Sequence, residues 1–298
     1  MPRVSVIVPA YNSAAYLADA VASIEHQTYR DWEAIIVDDA SHDRSFELAR
    51  SFGGRVRAIR SERNQGPSGA RNLALGHAHG ELIALLDADD AWLPQYLERQ
   101  VGRFDAERAR GRRVGIVACN ARVSAGAGAR DRTFLDHFRG PLEPLTLERV
   151  LRGNPIFISA LVLRQAGDEA GWFSPDLFGT EDHDLWIRIL ELGYEAVLNR
   201  EVLATYRQPA GSISSDIARM GAGNQLTYRR ALARGGLTSG QRRIARSQLR
   251  YNRAMEAVAA ARFSGDLRHV ARALPALLLV ALTHPRSWAR WWRVMDSR

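Results

Sequence analysis

Residues 81–90 read ELIALLDADD, an apolar run that ends in three carboxylates. The run up to residue 86 predicts a buried β-strand with the acids at its carboxyl end. Three neighbouring negative charges repel one another unless a cation or a ligand lies among them. Mg²⁺ and Mn²⁺ take oxygen ligands and are often held by carboxylates together with substrate phosphates. The alternative is an acidic turn in which Asp90 caps a helix that begins near residues 92–94.

Strand and helix patterns alternate along the chain around this stretch. Strand patterns lie at residues 4–8, 32–37, 56–59 and 82–86, and helix patterns lie at residues 17–24, 45–51 and 68–77. This alternation with short loops is typical of a parallel sheet with helices on both faces. Because ligands of such sheets bind at the carboxyl ends of the strands, we expect Asn12, Asp39 and residues 87–90 to gather there.

The pattern changes near residue 210. Before that point we expect strands at 114–118 and 156–163, a flexible loop at 124–129, a helix at 182–192 and an extended segment at 195–206. Beyond about residue 212 the pattern is helical. Residues 1–210 carry a net charge of −4 and residues 211–298 a net charge of +12. We therefore predict an α/β domain over 1–210 and a basic helical region with a different role over 211–298.

The composition excludes several chemistries. All 41 basic residues are arginine, so there is no lysine for a Schiff base, a phosphate-binding loop or a kinase-type site. The single cysteine, Cys119, rules out an internal disulfide framework and a cysteine zinc cluster. One cysteine also fits a reducing compartment. Because the first residues lack a signal-peptide pattern, we expect a cytoplasmic protein.

Two predicted strands end in residues that could recognise a nucleotide base. The first ends in Pro9, Ala10, Tyr11 and Asn12, without the Gly-x-Gly-x-x-Gly pattern of a dinucleotide site. A tyrosine ring could stack on a base and an amide could bond to it, although a half-buried turn is the alternative. The second strand ends in Asp39, whose carboxylate could accept from the imide N–H of a pyrimidine or from guanine. A simple helix cap in the segment 41–43 is the alternative there.

Two helix starts carry the other candidate residues. Residues 64–72 form a glycine-containing loop that runs into a helix, where Arg71 could reach a diphosphate or a neighbouring acid. Residues 179–186 read GTEDHDLW, a second acidic group at a helix start. Asp182 could act there as a general base, although acids that favour the helix dipole are the alternative. We do not expect His183 to be catalytic.

These segments together resemble the family 2 inverting nucleotide-sugar glycosyltransferases. The matching pieces occur in the family's order across residues 1–210, at residues 4–12, 37–41, 64–72, 86–90 and 181–186. The resemblance implies a Rossmann-like α/β domain with a mixed central sheet, the glycosyltransferase A-type fold, followed by a helical C-terminal region. It implies that the nucleotide is held by Pro9, Tyr11, Asn12, Asp39, Arg71 and Asp87. Asp89 would ligate Mg²⁺ or Mn²⁺, and Asp182 would be the catalytic base.

The resemblance also implies a donor, an acceptor and a mechanism. The donor would be a nucleoside-diphosphate sugar, with UDP favoured by family frequency and dTDP or GDP as alternatives. The acceptor would be a hydroxyl of a saccharide or a lipid-linked sugar. The Gln-x-x-Arg-Trp element of processive synthases is absent, so we expect transfer of one sugar or a few. Two alternatives are a pyrophosphorylase, which needs a glycine-rich loop and a lysine, and a degenerate transferase serving as a membrane-associated assembly partner.

The basic region contains a candidate membrane surface. The apolar run at residues 273–283 is about half the roughly 20 residues that a membrane-spanning helix needs. Residues 285–293 then mix three tryptophans with arginines, a composition that favours an anionic membrane interface. We therefore hypothesise peripheral attachment through residues 273–298 to the inner face of the cell membrane. The alternative is a helix packed on the body, and we expect no nucleic-acid partner because no such module is recognisable.

Overall fold

A computed structural model describes residues 1–124, 132–138, 140–209, 212 and 216–264. The chain divides into two compact units, Met1–Ala210 and Gly211–Arg298. The predicted loop at 124–129 lies almost entirely outside the described residues, as do the apolar run at 273–283 and the tryptophan segment at 285–293.

The first unit alternates between strands and helices in its first half, as predicted. Its strands are β1 Val4–Ala10, β2 Trp32–Asp38, β3 Val56–Arg60, β4 Leu82–Leu85, β5 Ala91–Trp92, β6 Val114–Ser124, β7 Arg132–Thr133, β8 Leu161–Leu163 and β9 Glu195–Arg207. Its helices are α1 Leu17–Glu25, α2 Ser45–Ser51, α3 Gly66–Leu75, α4 Tyr96–Ala109, α5 Leu147–Leu151, α6 Arg164–Ala170 and α7 Glu181–Glu191, with a 3₁₀ helix at Phe134–His137.

The described strands form one mixed sheet. The strand order is β3-β2-β1-β4-β8-β6-β9-β5, with β7 paired to β6. The first four strands of this order are parallel, as the alternating pattern predicts. β8 is antiparallel to both β4 and β6, which makes the sheet mixed, as the resemblance implies.

The strand order places ligand-binding residues at one edge of the sheet. The chain first adds β2 and β3 on one side of β1 and then adds β4 on the other side. Such a reversal leaves a crevice beyond the carboxyl ends of the strands, where α/β sheets bind ligands. The apolar residues of β1, β2 and β4 are buried, so these strand ends are anchored in the core.

Several predicted elements differ from the structure in extent, and the strand expected at 114–118 continues to Ser124. The strand expected at 156–163 is only Leu161–Leu163. Ile156 and Phe157 are buried, but their burial comes from tertiary packing outside the ladder. The helix expected near residues 92–94 begins instead at Tyr96.

The second unit contains a helix pair in its described part. Helix α8, Ile217–Arg234, packs against α9, Ser239–Ser264. Asp216 caps α8 by accepting from the backbone N–H of Arg219 at 3.0 Å. Gly235 ends α8 with φ 80°, a left-handed conformation that glycine adopts without a steric penalty. Across the described residues of both units, every helix is too short or too polar to cross a bilayer.

Candidate active site

Three carboxylates converge just beyond the end of β4. Asp87, Asp89 and Asp90 each contribute one oxygen to a group whose members lie within 4.8 Å of one another. We call these three residues the strand-end cluster. It follows the strand that neighbours β1, which is the point where the strand order reverses. A set of carboxylate oxygens is the donor set that hard divalent cations such as Mg²⁺ and Mn²⁺ prefer.

Asp90 is the most deeply buried member of the strand-end cluster. Its side chain is buried, and its Oδ1 accepts from the backbone N–H of Arg207 at 2.8 Å. Its Oδ2 has no hydrogen-bond partner among the residues that the structure describes. Burial, followed by the charges of Asp87 and Asp89, raises the pKa of Asp90 well above its usual range. A buried carboxylate oxygen without a donor is costly, and a divalent cation would satisfy it. The cluster therefore fits a metal ion.

The alternative interpretation of Asp90 as a helix cap is wrong. Helix α4 begins at Tyr96 with Gln95 as its N-cap. Ala91 and Trp92 instead form β5, which pairs antiparallel with β9 and thereby brings Arg207 to Asp90. Asp90 binds the end of a strand rather than the start of a helix.

Arg207 also holds the neighbouring member of the strand-end cluster. Its Nη1 donates to the backbone carbonyl of Asp89 at 3.2 Å, and its Nη2 donates to the carboxylate of Asp19 at 3.0 Å. Burial, followed by the charge of Asp87, raises the pKa of Asp89 to about 6. The last residue of β9 therefore fixes the backbone of the strand-end cluster, while the carboxylates repel one another.

Arg71 links the strand-end cluster to a second acidic group. This buried arginine of α3 donates from Nη2 to Asp87 at 2.6 Å and from Nη1 to Glu181 at 2.7 Å. Its guanidinium lies 5.2 Å from the centroid of the Phe173 ring. The sequence left open whether Arg71 reaches a diphosphate or an acid, and the observed contacts are with two acids. A role near the phosphates stays a prediction.

The second acidic group is the first turn of α7, and its members separate. We call Glu181, Asp182 and Asp184 the helix-start cluster. Glu181 pairs with Arg71, and Asp184 accepts from Nε of Arg188 at 2.8 Å. Because each of these two carboxylates has an arginine partner, the helix-start cluster does not require a cation.

Asp182 differs from its two neighbours because the groups that donate to it are neutral. It accepts from Nδ2 of Asn154 at 2.8 Å and from the backbone N–H of His183 at 2.6 Å. Burial, followed by the charge of Glu181, raises the pKa of Asp182 to about 7, and the two hydrogen bonds act in the opposite direction. A carboxylate with a pKa near neutrality is suited to accept a proton from a substrate.

His183 is buried, and its Nε2 lies 2.8 Å from the carbonyl oxygen of Val150. This contact joins α7 to α5.

The loop after β1 is held by Asn12. Its backbone N–H donates to Oγ of Ser41 at 2.9 Å, and its Oδ1 accepts from the backbone N–H of His42 at 2.9 Å. Asn12 has φ 48°, in the left-handed region that asparagine tolerates better than most residues. Tyr11 is 46% exposed, with its ring edge toward His42, and Pro9 is half-buried at the end of β1. The ring of Tyr11 is therefore accessible to a ligand.

Asp39 is buried beside the loop before α3. The backbone N–H of Gln65 donates to both of its carboxylate oxygens, at 2.9 Å and 3.0 Å. Burial raises the pKa of Asp39. The capping alternative belongs to Asp43, whose Oδ1 accepts from the backbone N–H of Ser45 at the start of α2. Asp39 is left facing the loop that the sequence predicts to approach a ligand.

Three residues that support this site were not identified as site residues from the sequence. Glu181, Asn154 and Arg207 make the contacts described above to Arg71, Asp182 and Asp90. Glu181 carried a signal because it adjoins Asp182 in an acidic helix start. The other two contacts join residues 28 and 117 positions apart, and no local pattern indicates them.

Residues 5–156, just over half of the chain, match the profile described as glycosyl transferase family 2. The chain belongs to this family, as the resemblance implied, and it is a glycosyltransferase with a nucleotide-sugar donor.

Two bacterial relatives agree with this assignment. TuaG of Bacillus subtilis (strain 168), whose name is that of a teichuronic acid biosynthesis glycosyltransferase, is 33% identical over 219 residues. That match covers 72% of this chain and 82% of TuaG. WfgD of Escherichia coli is named a UDP-Glc:alpha-D-GlcNAc-diphosphoundecaprenol beta-1,3-glucosyltransferase. It is 28% identical over 215 residues, covering 72% of this chain and 80% of WfgD.

A solved structure supports the fold. The mannosyltransferase PcManGT from Pyrobaculum calidifontis, in complex with GDP-Man and Mn²⁺, superposes with a TM-score of 0.65. The superposition covers 96% of this chain and 83% of PcManGT at 24% sequence identity. The glycosyltransferase A-type fold predicted from the sequence is confirmed.

Proposed function

We propose that this enzyme transfers a sugar from a nucleoside-diphosphate sugar to a hydroxyl of a saccharide or lipid-linked acceptor, with inversion at the anomeric carbon. One observation carries the proposal. Arg71 donates hydrogen bonds to Asp87 of the strand-end cluster and to Glu181. Asp182 follows Glu181 in the chain, and its pKa is raised to about 7. A cation-binding group and a candidate base are thus connected through a single buried arginine.

Asp39 and Tyr11 are the candidates for recognition of the base. Both carboxylate oxygens of Asp39 accept from Gln65, and a carboxylate has acceptor capacity for an imide N–H as well. The exposed ring of Tyr11 offers a surface for base stacking. Pro9, Asn12, Arg71 and Asp87 would complete the nucleotide site. We favour UDP, in agreement with the UDP-Glc in the name of WfgD.

The strand-end cluster is the candidate site for Mn²⁺ or Mg²⁺. Asp89 would be the principal ligand, with Asp87 and Asp90 beside it. The Mn²⁺ in the PcManGT complex supports a divalent ion. When bound, such an ion neutralises charge on a diphosphate leaving group, which is worth several kcal/mol in a transition state.

Asp182 would act as the general base. Its carboxylate takes the proton of the acceptor hydroxyl, and the hydroxyl oxygen forms a bond to the anomeric carbon. The bond between that carbon and the diphosphate oxygen breaks in the same step, and the nucleoside diphosphate leaves with the electron pair. A single displacement from the opposite face inverts the configuration. Asn154 and the N–H of His183 hold the carboxylate in place.

The proposed acceptor is supported by the sequence of the C-terminal region and by the name of one relative. The name of WfgD contains a diphosphoundecaprenol-linked acceptor, which supports a lipid-linked acceptor here. Such an acceptor lies at a membrane, and residues 273–298 are the proposed anionic membrane surface. The enzyme would then work on the inner face of the cell membrane.

A thermal-shift screen of UDP, dTDP and GDP, each with Mn²⁺ and with chelator, tests the donor site. A ligand at 100 times its Kd adds about 2.7 kcal/mol of stability. We expect one nucleotide to shift the melting temperature only with Mn²⁺, and Asp39→Asn to lose most of that shift. Asp43→Asn is the matched control, because Asp43 serves the start of α2 instead.

The reaction itself is tested with the matching sugar nucleotide and NMR of the product. We expect the anomeric configuration of the product to be opposite to that of the donor. Retention would contradict single displacement, and a folded protein that responds to no nucleotide would contradict the donor site.

A further inference from the structure

Helix α9 carries a line of four exposed arginines. Arg243, Arg246, Arg250 and Arg253 are all exposed and follow one another at intervals of three, four and three residues. With 3.6 residues per turn, they lie within about 80° of the helix circumference and extend over about 15 Å. We call these four residues the arginine stripe.

The orientation of the arginine stripe is fixed by the other side of α9. Ala245, Asn252 and Met255 are buried, and α9 packs against α8. Glu256 accepts from Nε2 of Gln225 of α8 at 2.5 Å, which joins the two helices through their polar side chains. The stripe is therefore the solvent side of a helix whose opposite side is packed.

Among the described residues of the second unit, acids do not neutralise the arginine stripe. The described part of this unit contains two acids, and both have other partners: Asp216 caps α8 and Glu256 bonds to Gln225. Like charges three or four residues apart on a helix destabilise it. The stripe holds three such pairs in succession, so an anionic partner would relieve repulsion that the helix otherwise retains.

We propose that the arginine stripe is a docking surface for an anionic phospholipid membrane. Its charge is complementary to such a surface, where each arginine strengthens binding by roughly fivefold. The sequence that follows α9 adds an apolar run at 273–283 and three tryptophans at 288–292, which suit a lipid interface and add little to the binding of a phosphate backbone. The stripe extends the proposed membrane surface from the tail to α9 and does not depend on the donor or the reaction.

Sedimentation of the full chain with vesicles tests this assignment. The vesicles are phosphatidylcholine alone and phosphatidylcholine mixed with phosphatidylglycerol, at low salt. The test variant is R243Q/R246Q/R250Q/R253Q, in which glutamine retains helix propensity. The control variant, R30Q/R44Q/R50Q/R99Q, removes the same charge from exposed arginines of the first unit. We expect the test variant to bind phosphatidylglycerol vesicles at least ~100-fold more weakly than the control.

Each other outcome overturns the proposal. Equal losses in the two variants would show that net charge matters and the stripe does not. The test variant could bind as tightly as wild type, while replacement of Trp288, Trp291 and Trp292 by serine abolishes binding. That result would assign membrane binding to residues 273–298 and not to the stripe. If the wild-type chain shows no preference for phosphatidylglycerol vesicles, an anionic membrane is excluded as the partner. Tighter binding to single-stranded RNA, lost in the test variant, would assign the stripe to nucleic acid.

Two further measurements show whether a loss of binding reflects misfolding or a failure of the proposed function. Circular dichroism melts check that the test variant is folded, and R246Q/R250Q, with an expected loss of about 25-fold, replaces it if it is not. Transfer to a water-soluble acceptor separates this proposal from the proposed function. The test variant should retain that activity, since the stripe lies outside the proposed catalytic residues.

Discussion

The strand-end cluster and the helix-start cluster look alike in sequence and differ in the structure. Each contains three acids within four residues. The strand-end carboxylates converge to within 4.8 Å of one another. In the helix-start cluster, Glu181 faces Arg71, Asp184 faces Arg188, and Asp182 faces Asn154. The converging carboxylates fit the metal site that we propose, whereas the dispersed ones leave Asp182 with neutral donors, which suits its proposed role as a base.

The difference follows from local backbone geometry. A strand end followed by a short loop points successive side chains into one crevice, because the chain turns between β4 and β5. A helix start spreads successive side chains around its axis at about 100° per residue. The three carboxylates of the strand-end cluster therefore repel one another, whereas those of the helix-start cluster contact separate partners.

The largest expected effect is the loss of turnover on replacement of Asp182, whose described hydrogen-bond donors are neutral. Asp182→Asn keeps the shape of the side chain and removes its ability to accept a proton. We expect turnover to fall by roughly 10² to 10⁴-fold while donor binding is retained. Initial rates of sugar transfer, together with the nucleotide thermal shift, measure the two effects separately.

Asp184→Asn is the matched control within the helix-start cluster. It makes the same chemical change two residues away, at a carboxylate paired with Arg188. Its turnover per folded molecule should stay within a few-fold of wild type. Equal losses in the two variants, or near-normal turnover of Asp182→Asn, would remove Asp182 from the role of base.

The next effect concerns the strand-end cluster. Asp89→Ala removes the proposed principal ligand and should abolish the metal-dependent part of nucleotide binding. The wild-type gain of about 2.7 kcal/mol at 100 times the Kd should fall to the level seen with chelator. A thermal-shift titration with and without Mn²⁺ measures this. Tight nucleotide binding that resists chelator in wild type would contradict a metal site.

The pH dependence of kcat/KM tests how Glu181 acts on Asp182 within the helix-start cluster. Since the pKa of Asp182 is raised to about 7, kcat/KM should rise with pH up to about 7 and fall about tenfold per unit below it. Glu181→Gln keeps a hydrogen-bond acceptor for Arg71 and removes the neighbouring charge that helps to raise this pKa. The acid limb should therefore move to lower pH. An unmoved limb would show that Glu181 does not tune the base.

Much of this fold could be predicted because its signals are local. The helix predicted at 45–51 is α2, Ser45–Ser51, and the strand predicted at 56–59 is β3 to within one residue. The strand predicted at 156–163 failed because buried apolar residues do not by themselves show whether they join a ladder. Phe157, for example, contacts Phe134 and Tyr206, which lie on distant segments.

The sequence indicates where the candidate site residues lie in the fold, but it does not indicate which of them contact one another. Asp39, Asp87 and Asp89 follow strands, and the strand ends of a parallel sheet meet at one edge. The bridge from Asp87 through Arg71 to Glu181 joins residues 16 and 110 positions apart. Only the folded chain brings them together, so sequence patterns could not show which acids Arg71 contacts.

The smallest expected effect compares the stability of two single variants without metal. Asp90→Asn removes one of three repelling charges, while its side-chain oxygen can still accept from the N–H of Arg207. In chelator, this variant should be more stable than wild type, because burial and the charges of Asp87 and Asp89, which raise the pKa of Asp90, no longer act on a carboxyl at this position. Asp184→Asn instead weakens a buried ion pair with Arg188 and should lose about 1–3 kcal/mol.

Urea unfolding in chelator measures both changes at one pH. Opposite signs for the two variants would sharpen the contrast between a cluster that lacks a cation and a cluster that is already paired. Added Mn²⁺ should then stabilise wild type more than Asp90→Asn, because the variant offers one carboxylate fewer. If both variants lose stability in chelator, the strand-end acids do not repel one another strongly, and the contrast between the clusters fails.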